Sequence, residues 1–176
     1  LYAMRLRLPS TLKAWQPFIV LALLNNIVPF VLIARAQKEI AIGLASVLQA
    51  TTPLFGVVLA HAFTDDEKLT APRLVGVLVG VAGVVVLVGP EALFGSPSNL
   101  LGMVLMLSAA FFYGASGVWS RRFKSTPPLV TSTSLLICST VVLFPLALVI
   151  DQPWRLAAPS NAAIASVISL AVLSTA

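Results

Sequence analysis

The chain has 176 residues, of which 59% are hydrophobic and 10% are charged, and its formal net charge is +5. Charge this sparse excludes a soluble globular domain, in which about 25% of residues are charged, because it cannot cover a surface that faces water. The long apolar runs also differ from the short alternating segments of a membrane β-barrel. The composition therefore predicts an all-α fold, a polytopic transmembrane helix bundle.

Six apolar runs predict six membrane spans, the last of them truncated. They cover residues 15–34, 40–63, 71–88, 100–119, 127–150 and 162–176. The chain starts with Leu1, and Ala176 falls inside an apolar run that is too short to cross a bilayer. We therefore expect an internal piece of a longer protein.

The basic residues predict how these spans are oriented. Alternate loops place eight of the eleven Lys and Arg residues on one side of the membrane and three on the other. The larger group consists of Arg5, Arg7, Lys13, Lys68, Arg73, Arg121, Arg122 and Lys124. The smaller group consists of Arg35, Lys38 and Arg155. Because cytoplasmic loops carry the excess of Lys and Arg, the larger group predicts the cytoplasmic side, and the basic charge is an orientation signal, not a nucleic-acid surface.

The second span, residues 40–63, contains no charged residue but carries polar groups at its middle. Gln49 and Thr52 lie there, and Pro53 follows directly. A proline inside a helix removes an amide donor and crowds the preceding turn, so we expect the helix to kink or open and the Gln49 carbonyl to be freed. Polar side chains beside a kink midway across a membrane predict a substrate pathway. The alternative for Thr52 is a hydrogen bond back to its own helix.

Three further residues extend the predicted pathway. Asn25 and Asn26 lie near the centre of the first span. Because adjacent helix positions point about 100° apart, at most one of the two is expected to face a cavity. The alternative for either side chain is a hydrogen bond between helices. Tyr113 could stack on an organic substrate, although helix packing is the favoured interpretation.

Glycine spacing in the third span predicts a helix contact. Gly76 and Gly80 form a GxxxG pair, and Gly83 follows about one turn later. Small residues at this spacing leave one helix face smooth enough for a close approach by a neighbour. We therefore predict that all three glycines serve helix packing.

The fourth span carries a second glycine motif. Gly114-Ala115-Ser116-Gly117 matches the GxSG of rhomboid-type intramembrane serine proteases, in which a histidine on a later span activates the serine. No histidine follows Ser116 in this chain. Packing at Gly114 and Gly117 is therefore the favoured interpretation, and we predict no enzyme activity.

Two features are assigned to the membrane surface. His61 is the only histidine and lies near the predicted cytoplasmic end of its span, where a solvated side chain is favoured over a role in proton coupling. Asp65, Asp66 and Glu67 are interpreted as a hydrated loop, because no further ligand at a suitable spacing joins them. We therefore predict no metal site and no cofactor.

Two stretches carry a family resemblance. Residues 45–88 contain A-S-V-L-Q-A-T-T-P-L-F-G, then E-K-L-T, then G-V-L-V-G-V-A-G-V-V-V-L, and residues 101–123 end in Y-G-A-S-G-V-W-S-R-R-F. This order resembles the EamA-type permeases of the drug/metabolite transporter superfamily, which show a mid-span proline, an acidic residue and a leucine at the next turn, and a glycine-spaced helix. Those positions are Pro53, Glu67, Leu69, Gly76 and Gly83. The turn departs from the family pattern, because Asp65 and Asp66 precede Glu67 where a single Glu is usual.

The resemblance implies a ten-helix transporter built from two inverted repeats of five spans. Residues 1–89 would then hold spans three to five, at the end of the first repeat, and residues 90–176 would hold spans six to eight, at the start of the second. It also implies a permease or exporter of small organic metabolites or drugs that works by alternating access, in a bacterial inner (plasma) membrane. Its partners would be the lipid bilayer, a small-molecule substrate and, as a further option, a second copy in a homodimer.

A non-transporting helical membrane scaffold is the alternative, with a partner bound at the face of Gly76 and Gly80. The two interpretations differ in geometry. A transporter is expected to leave a hydrated gap between the first and second complete spans, with Gln49 facing it. A scaffold is expected to be solid there.

Overall fold

The computed structural model describes residues 8–64, 70–94, 97–155 and 160–175, and within these residues all regular structure is helical. The prediction of an all-α fold is confirmed. Eight α-helices are present in the described residues, connected in part by short turns. They are α1 (Leu12–Ala22), α2 (Val28–Ala36), α3 (Ile42–Gln49), α4 (Thr52–Phe63), α5 (Ala71–Phe94), α6 (Pro97–Ser120), α7 (Pro128–Ile150) and α8 (Asn161–Thr175).

Within the residues that the structure describes, four stretches are long and apolar enough to cross a membrane. They are Leu12–Ala36, Ile42–Phe63, Asn99–Phe123 and Pro128–Arg155. The first combines α1 and α2, and the second combines α3 and α4. A shorter apolar helix covers Ala71–Val86. A helical transmembrane bundle is therefore the fold, as the apolar runs predicted.

The second span is interrupted where Pro53 predicted a kink. Helix α3 ends at Gln49 and α4 begins at Thr52, with Ala50 and Thr51 between them. Pro53 lies in the first turn of α4, where a missing backbone amide costs no intrahelical hydrogen bond. The Thr51 carbonyl accepts from the amides of both Leu54, at 2.9 Å, and Phe55, at 3.2 Å. The break is thus held by local hydrogen bonds.

In the sequence, Gly89, Pro90, Gly95 and Pro97 predict a loop after the third span, and part of that loop is helical in the structure. Helix continues to Phe94, and the chain instead bends at a single residue, Gly89, with φ 73° and ψ 157°. A residue with a Cβ adopts this region only with strain, whereas glycine does not. The predicted loop was therefore wrong for residues 90–94, where one glycine makes the bend, and residues 95–96 lie outside the described residues.

Helix α6 is the centre of the bundle among the described residues of Leu1–Val142. Helices α2, α3 and α4 all pack against it. At one end, a buried cluster joins the end of α2, helix α3 and the start of α6. Its members are Ala36, Ile40, Ala45, Leu48, Met103 and Met106. Gly102 allows this packing, because a Cβ there would lie 2.6 Å from Ile40 Cγ2.

The opposite end of the same unit carries aromatic contacts. The rings of Phe18 and Phe123 lie 4.6 Å apart between centroids, and Trp15 meets Phe18 edge-on at 6.3 Å. The Trp119 indole N–H donates to the Pro17 carbonyl at 3.0 Å and so ties α6 to α1. Leu143–Ala176 forms a second compact unit, which contains the end of α7, the turn Pro153–Arg155 and α8.

The five glycines predicted at helix contacts fall into two groups. A Cβ on Gly114 would lie 2.8 Å from the Gly56 backbone nitrogen, so α6 and α4 approach closely there. A Cβ on Gly80 would lie 2.9 Å from a terminal methyl of Leu54. The other three have no described atom within 4 Å of that position, and they are Gly76, Gly83 and Gly117. For these three, helix packing stays a prediction.

Candidate functional site

A widened helical turn positions the two asparagines of the first span. Between α1 and α2, residues Leu23–Ile27 form a π-helical turn, in which the Val28 amide donates to the Leu23 carbonyl. Pro29 is fully buried two positions after this turn and has no amide to offer the Asn25 carbonyl. Wide turns of this kind accommodate an extra residue in a helix and are frequent at functional sites. The turn therefore places Asn25 and Asn26 together at the middle of the span.

Hydrogen bonds connect both asparagines to neighbouring helices. The Ser116 hydroxyl on α6 lies 2.9 Å from Asn25 Oδ1, to which it donates. Asn25 Nδ2 donates to Asn26 Oδ1 at 2.9 Å, and Asn26 Nδ2 donates to Ser139 Oγ on α7 at 2.9 Å. Asn26, Ser116 and Ser139 are buried, and Asn25 is half-buried. This chain of four side chains, the polar network, spans three helices, and the interhelical hydrogen bond weighed as the alternative is present.

Ser116 has the surroundings of a structural serine. Besides Asn25, its hydroxyl lies 2.7 Å from the Tyr113 carbonyl, so one proton is shared between two acceptors. Neither acceptor is a base that could remove this proton, as a serine nucleophile requires. Gly114, two positions earlier, lies at the closest approach of α6 to α4. The GASG motif thus serves a helix contact and a hydrogen bond in the described residues.

Gln49 and Thr52 form a second polar group at the break in the second span. The Thr52 hydroxyl donates to the Gln49 backbone carbonyl at 2.8 Å, and Gln49 Nε2 lies 3.2 Å from the same hydroxyl. The carbonyl freed by Pro53 is therefore occupied by Thr52, the bond weighed as the alternative for that residue, and is not open to a solute here. Gln49 Oε1 is buried with no hydrogen-bond partner among the described residues. An unpaired buried acceptor of this kind costs about 1–3 kcal/mol.

A cleft of about 710 Å³, here called the basic cleft, lies against α6 between the first span and α4. Its walls are aliphatic and aromatic, and its rim carries three cations. Thr64 at the end of α4 and Arg121 after α6 line the same cleft, so these two chain segments lie on one side of the bundle, as the charge pattern predicted. The lining residues are Leu24, Leu59, Phe63, Thr64, Phe111, Ala115, Val118, Trp119, Arg121, Arg122 and Lys124.

The predicted pathway residues have different relations to this cleft. Leu24 lines it and directly precedes Asn25, so the cleft reaches the widened turn. The residues that line it in the described part of the chain do not include Gln49 or Tyr113, and the Tyr113 side chain is half-buried. A gap between the first and second complete spans is therefore present, without Gln49 at its wall. Whether any of these residues contacts a solute stays a prediction.

Several functional candidates were not found from the sequence. Ser139 was one of many hydroxyl residues in its span, and nothing local marks it as the partner of Asn26, which is 113 positions away. Leu24 is an apolar residue in an apolar run. Arg122 and Lys124 were assigned to orientation, although their position beside aromatic residues in the sequence S-R-R-F-K was a signal that could have been used. The acidic turn Asp65-Asp66-Glu67 lies outside the described residues.

Comparison with known proteins gives a consistent result. The sequence profile of the EamA-like transporter family matches residues 1–89. The chain is similar to an uncharacterised transporter, YoaV, of Bacillus subtilis, with 28% identity over 70% of this chain and 42% of the relative. It is also similar to a probable amino-acid metabolite efflux pump of Escherichia coli, with 31% identity over 57% of this chain and 33% of the relative.

A third relative carries a more specific description. It is an aromatic amino acid exporter, YddG, of Ancylobacter novellus, with 33% identity over 55% of this chain and 34% of the relative. The chain thus spans less than half the length of the curated relatives it matches. No solved structure gives a significant match to the chain.

Proposed function

Because the chain belongs to the EamA-like transporter family, we propose that it is part of a membrane exporter of small organic metabolites that works by alternating access. Its apolar helices make it an integral membrane protein. Relatives described as a metabolite efflux pump and an amino acid exporter support the export direction, and their bacterial sources support a location in the bacterial inner membrane. The observation that carries the proposal is that, in the described residues of Leu1–Val142, the basic cleft opens at one end of the bundle and a buried cluster packs α2, α3 and α6 together at the other.

The closed end is densely packed. The buried cluster around Met103 and Met106 joins α2, α3 and α6, and Ile40 lies against Gly102. Arg35 in the last turn of α2 and Glu39 in the turn that follows form a salt bridge of 2.8 Å. These side chains pack α2 and α3 against α6, and an apolar cavity of about 390 Å³ that Leu48 and Met103 of the cluster also line lies toward α4 and α5.

The open end is the basic cleft. It separates the first span from α4 over the half of the bundle that ends at Thr64 and Arg121. A volume of about 710 Å³ is within the range of sites that take small organic molecules. An alternating-access transporter exposes its site to one side of the membrane at a time, so an opening at one end combined with packing at the other is the expected geometry of one such state.

Both helices that flank the cleft are interrupted at mid-length. The first span has the widened turn before Pro29, and the second has the break before Pro53. Helix α6 between them continues without a proline from Leu100 to Ser120. Hinges are few residues that absorb a change of backbone angles, and proline breaks of this kind are where transporter helices bend. We place Asn25, Asn26, Gln49 and Thr52 in the hinges, with solute contact as their second role.

Thiol labelling of the full-length protein tests this function. Leu24→Cys and Met106→Cys are made separately in a protein whose native cysteines, including Cys138, are replaced by alanine. In inverted membrane vesicles, a membrane-impermeant sulfonated thiol reagent is expected to modify Leu24→Cys at least about tenfold faster than Met106→Cys, because Leu24 lines the cleft and Met106 is 2% exposed.

An efflux measurement completes this test. Proteoliposomes loaded with a mixture of ¹⁴C-labelled standard amino acids are expected to lose label faster than protein-free vesicles. Equal labelling rates at the two cysteine positions would refute the claim that the bundle is open at the basic cleft and packed at the cluster around Met106. Absence of efflux for every amino acid, together with labelling that never changes when external amino acids are added, would refute a transporter.

A non-transporting scaffold is the second candidate, and α5 supports it. Gly76 and Gly83 are exposed and have no described atom within 4 Å of a Cβ position. The face of α5 that they share is smooth enough for close approach by another helix, including the same face of a second copy in a homodimer. A scaffold of this kind would show no efflux, and its crosslinking between Gly76→Cys residues of two copies would be the positive result.

A further inference from the structure

We propose that the basic cleft binds amphipathic organic anions, with a carboxylate held by Arg122 and Lys124 and an apolar or aromatic body held on the aromatic wall. This inference rests on the proposed export function and specifies the class of solute that the cleft takes. It depends on how cations and aromatic rings are combined at the described end of α6.

The first step concerns the geometry of Arg122. Its guanidinium carbon lies over the Trp119 ring, 3.7 Å from the ring centre, which is the separation of a stacked guanidinium and indole. The five N–H donors of a guanidinium lie in its plane and point outward from its edge. Stacking on Trp119 uses the face of the Arg122 guanidinium. The N–H groups at the edge of the guanidinium have the right geometry to bind a carboxylate through two parallel hydrogen bonds.

A second step concerns the rigidity of this platform. The Trp119 indole N–H donates to the Pro17 carbonyl at 3.0 Å, which fixes the ring against α1. Arg122 is exposed yet is held over a fixed ring, so less side-chain freedom is lost when it binds an anion. Lys124 adds a second positive charge on the same rim. The anion site is thus preorganised on one side of the cleft.

The third step concerns the apolar wall. Phe63 lines the cleft and is 75% exposed, and Phe111 lines it at 40% exposure. Two large aromatic side chains that are this open within a concave surface can each gain contact area from a flat apolar ligand. The aromatic side chains and the two cations line one cleft of about 710 Å³, a volume that holds a solute with both an aromatic ring and a carboxylate.

Binding of 3-phenylpropionate to the full-length protein is the direct test. The protein is reconstituted in phosphatidylcholine nanodiscs, and the dissociation constants of 3-phenylpropionate, 3-phenylpropanol and propionate are measured by calorimetry. The first probe has both the ring and the charge, and each of the others lacks one of them. We expect 3-phenylpropionate to bind at least about tenfold more tightly than either control.

Variants separate the cleft from general surface charge. Arg122→Gln combined with Lys124→Gln is expected to weaken 3-phenylpropionate binding at least about tenfold, because hydrogen bonds to charged groups are lost. Phe63→Ala is expected to weaken it about threefold to tenfold through lost ring contact. Arg73→Gln is the matched control, since Arg73 is an exposed cation on the predicted same side that does not line the cleft, and it should change nothing.

The outcomes distinguish this inference from its alternatives. If Arg73→Gln weakens binding as much as the double variant, the effect is general charge and the proposal is refuted. If 3-phenylpropionate does not bind in phosphatidylcholine but phosphatidylglycerol binds in an Arg122-dependent way, the rim holds lipid headgroups and the proposal is refuted. Efflux of other amino acids without any binding of 3-phenylpropionate would leave the export function standing and overturn only the solute class.

Discussion

Gly114→Ala tests the contact on which the bundle is built. A Cβ at this position would lie 2.8 Å from the Gly56 nitrogen, 2.9 Å from Phe55 Cβ and 3.1 Å from the Phe55 carbonyl carbon. Two of these atoms belong to the α4 backbone and cannot rotate away. Because ordinary contacts between such atoms are about 3.5–4.0 Å, α4 and α6 would have to separate by roughly half an ångström or more.

The expected magnitude follows from two opposing terms. Inserting a methyl into a packed contact costs about 1–3 kcal/mol. Alanine is favoured over glycine in a helix interior by about 1 kcal/mol, which offsets part of this loss. Gly117→Ala on the same helix gains the second term without the first, because Gly117 has no described atom within 4 Å of its Cβ position. The two variants should therefore differ by about 1–3 kcal/mol in the free energy of unfolding.

Thermal unfolding of the full-length protein in detergent is the assay. The melting temperature of Gly114→Ala is expected to fall on the order of 5 °C below that of Gly117→Ala. Gly80→Ala provides an intermediate case, because its close neighbour is the flexible end of the Leu54 side chain, which can move. Equal melting temperatures for Gly114→Ala and Gly117→Ala would show that α4 and α6 do not approach at Gly56, and the reasoning would fail.

Three further predictions address the hinges and the bend. In a double-mutant cycle of Asn26→Leu and Ser139→Ala, unfolding in mixed micelles should give a coupling energy of about 0.6 kcal/mol, the usual strength of an interhelical hydrogen bond in a membrane. A coupling energy of zero would show that Asn26 and Ser139 do not form this bond. Thr52→Val should lower stability by about 1 kcal/mol because the Gln49 carbonyl loses its donor, whereas Thr52→Ser should retain it in the same measurement. Gly89→Ala should destabilise the protein by about 1–3 kcal/mol, because Gly89 has a φ of 73°, whereas Gly83→Ala should be neutral or stabilising. Equal melting temperatures for the Gly89→Ala and Gly83→Ala variants would contradict the bend at Gly89.

Features that depend on one segment at a time were predictable from the sequence. The apolar runs predicted the helices, because lipid requires every backbone polar group to be paired within the segment. The break in the second span followed from Pro53, since a missing amide donor interrupts a helix whatever its neighbours are. The bend at Gly89 was harder to predict because one positive φ and a loop of several residues leave the same Gly-Pro signal in the sequence.

Features that depend on two segments were not predictable. Gly114 and Gly117 share one motif, but three positions on a helix correspond to about 300° of rotation, so the two glycines point in directions about 60° apart. Only the packing of α4 decides that Gly114 is buried and Gly117 is exposed. Asn26 finds Ser139 at a separation of 113 positions. The basic cleft joins the first span, α4 and the end of α6, and none of its walls is marked as such in its own stretch of sequence.

The two spans that flank the basic cleft are both interrupted by a proline at mid-length. A proline in a helix interior costs about 3 kcal/mol, and both breaks reduce that cost with local bonds, through the widened turn before Pro29 and the Thr52 hydroxyl after Gln49. These bonds satisfy the freed groups and join the two half-helices of each span through the break. Under the proposed alternating access, we expect the half-helices at the basic end to move relative to α6 while the packed cluster at the other end stays intact. A central helix with an interrupted helix on each side fits the alternating access that we propose, in which the cleft closes around a solute.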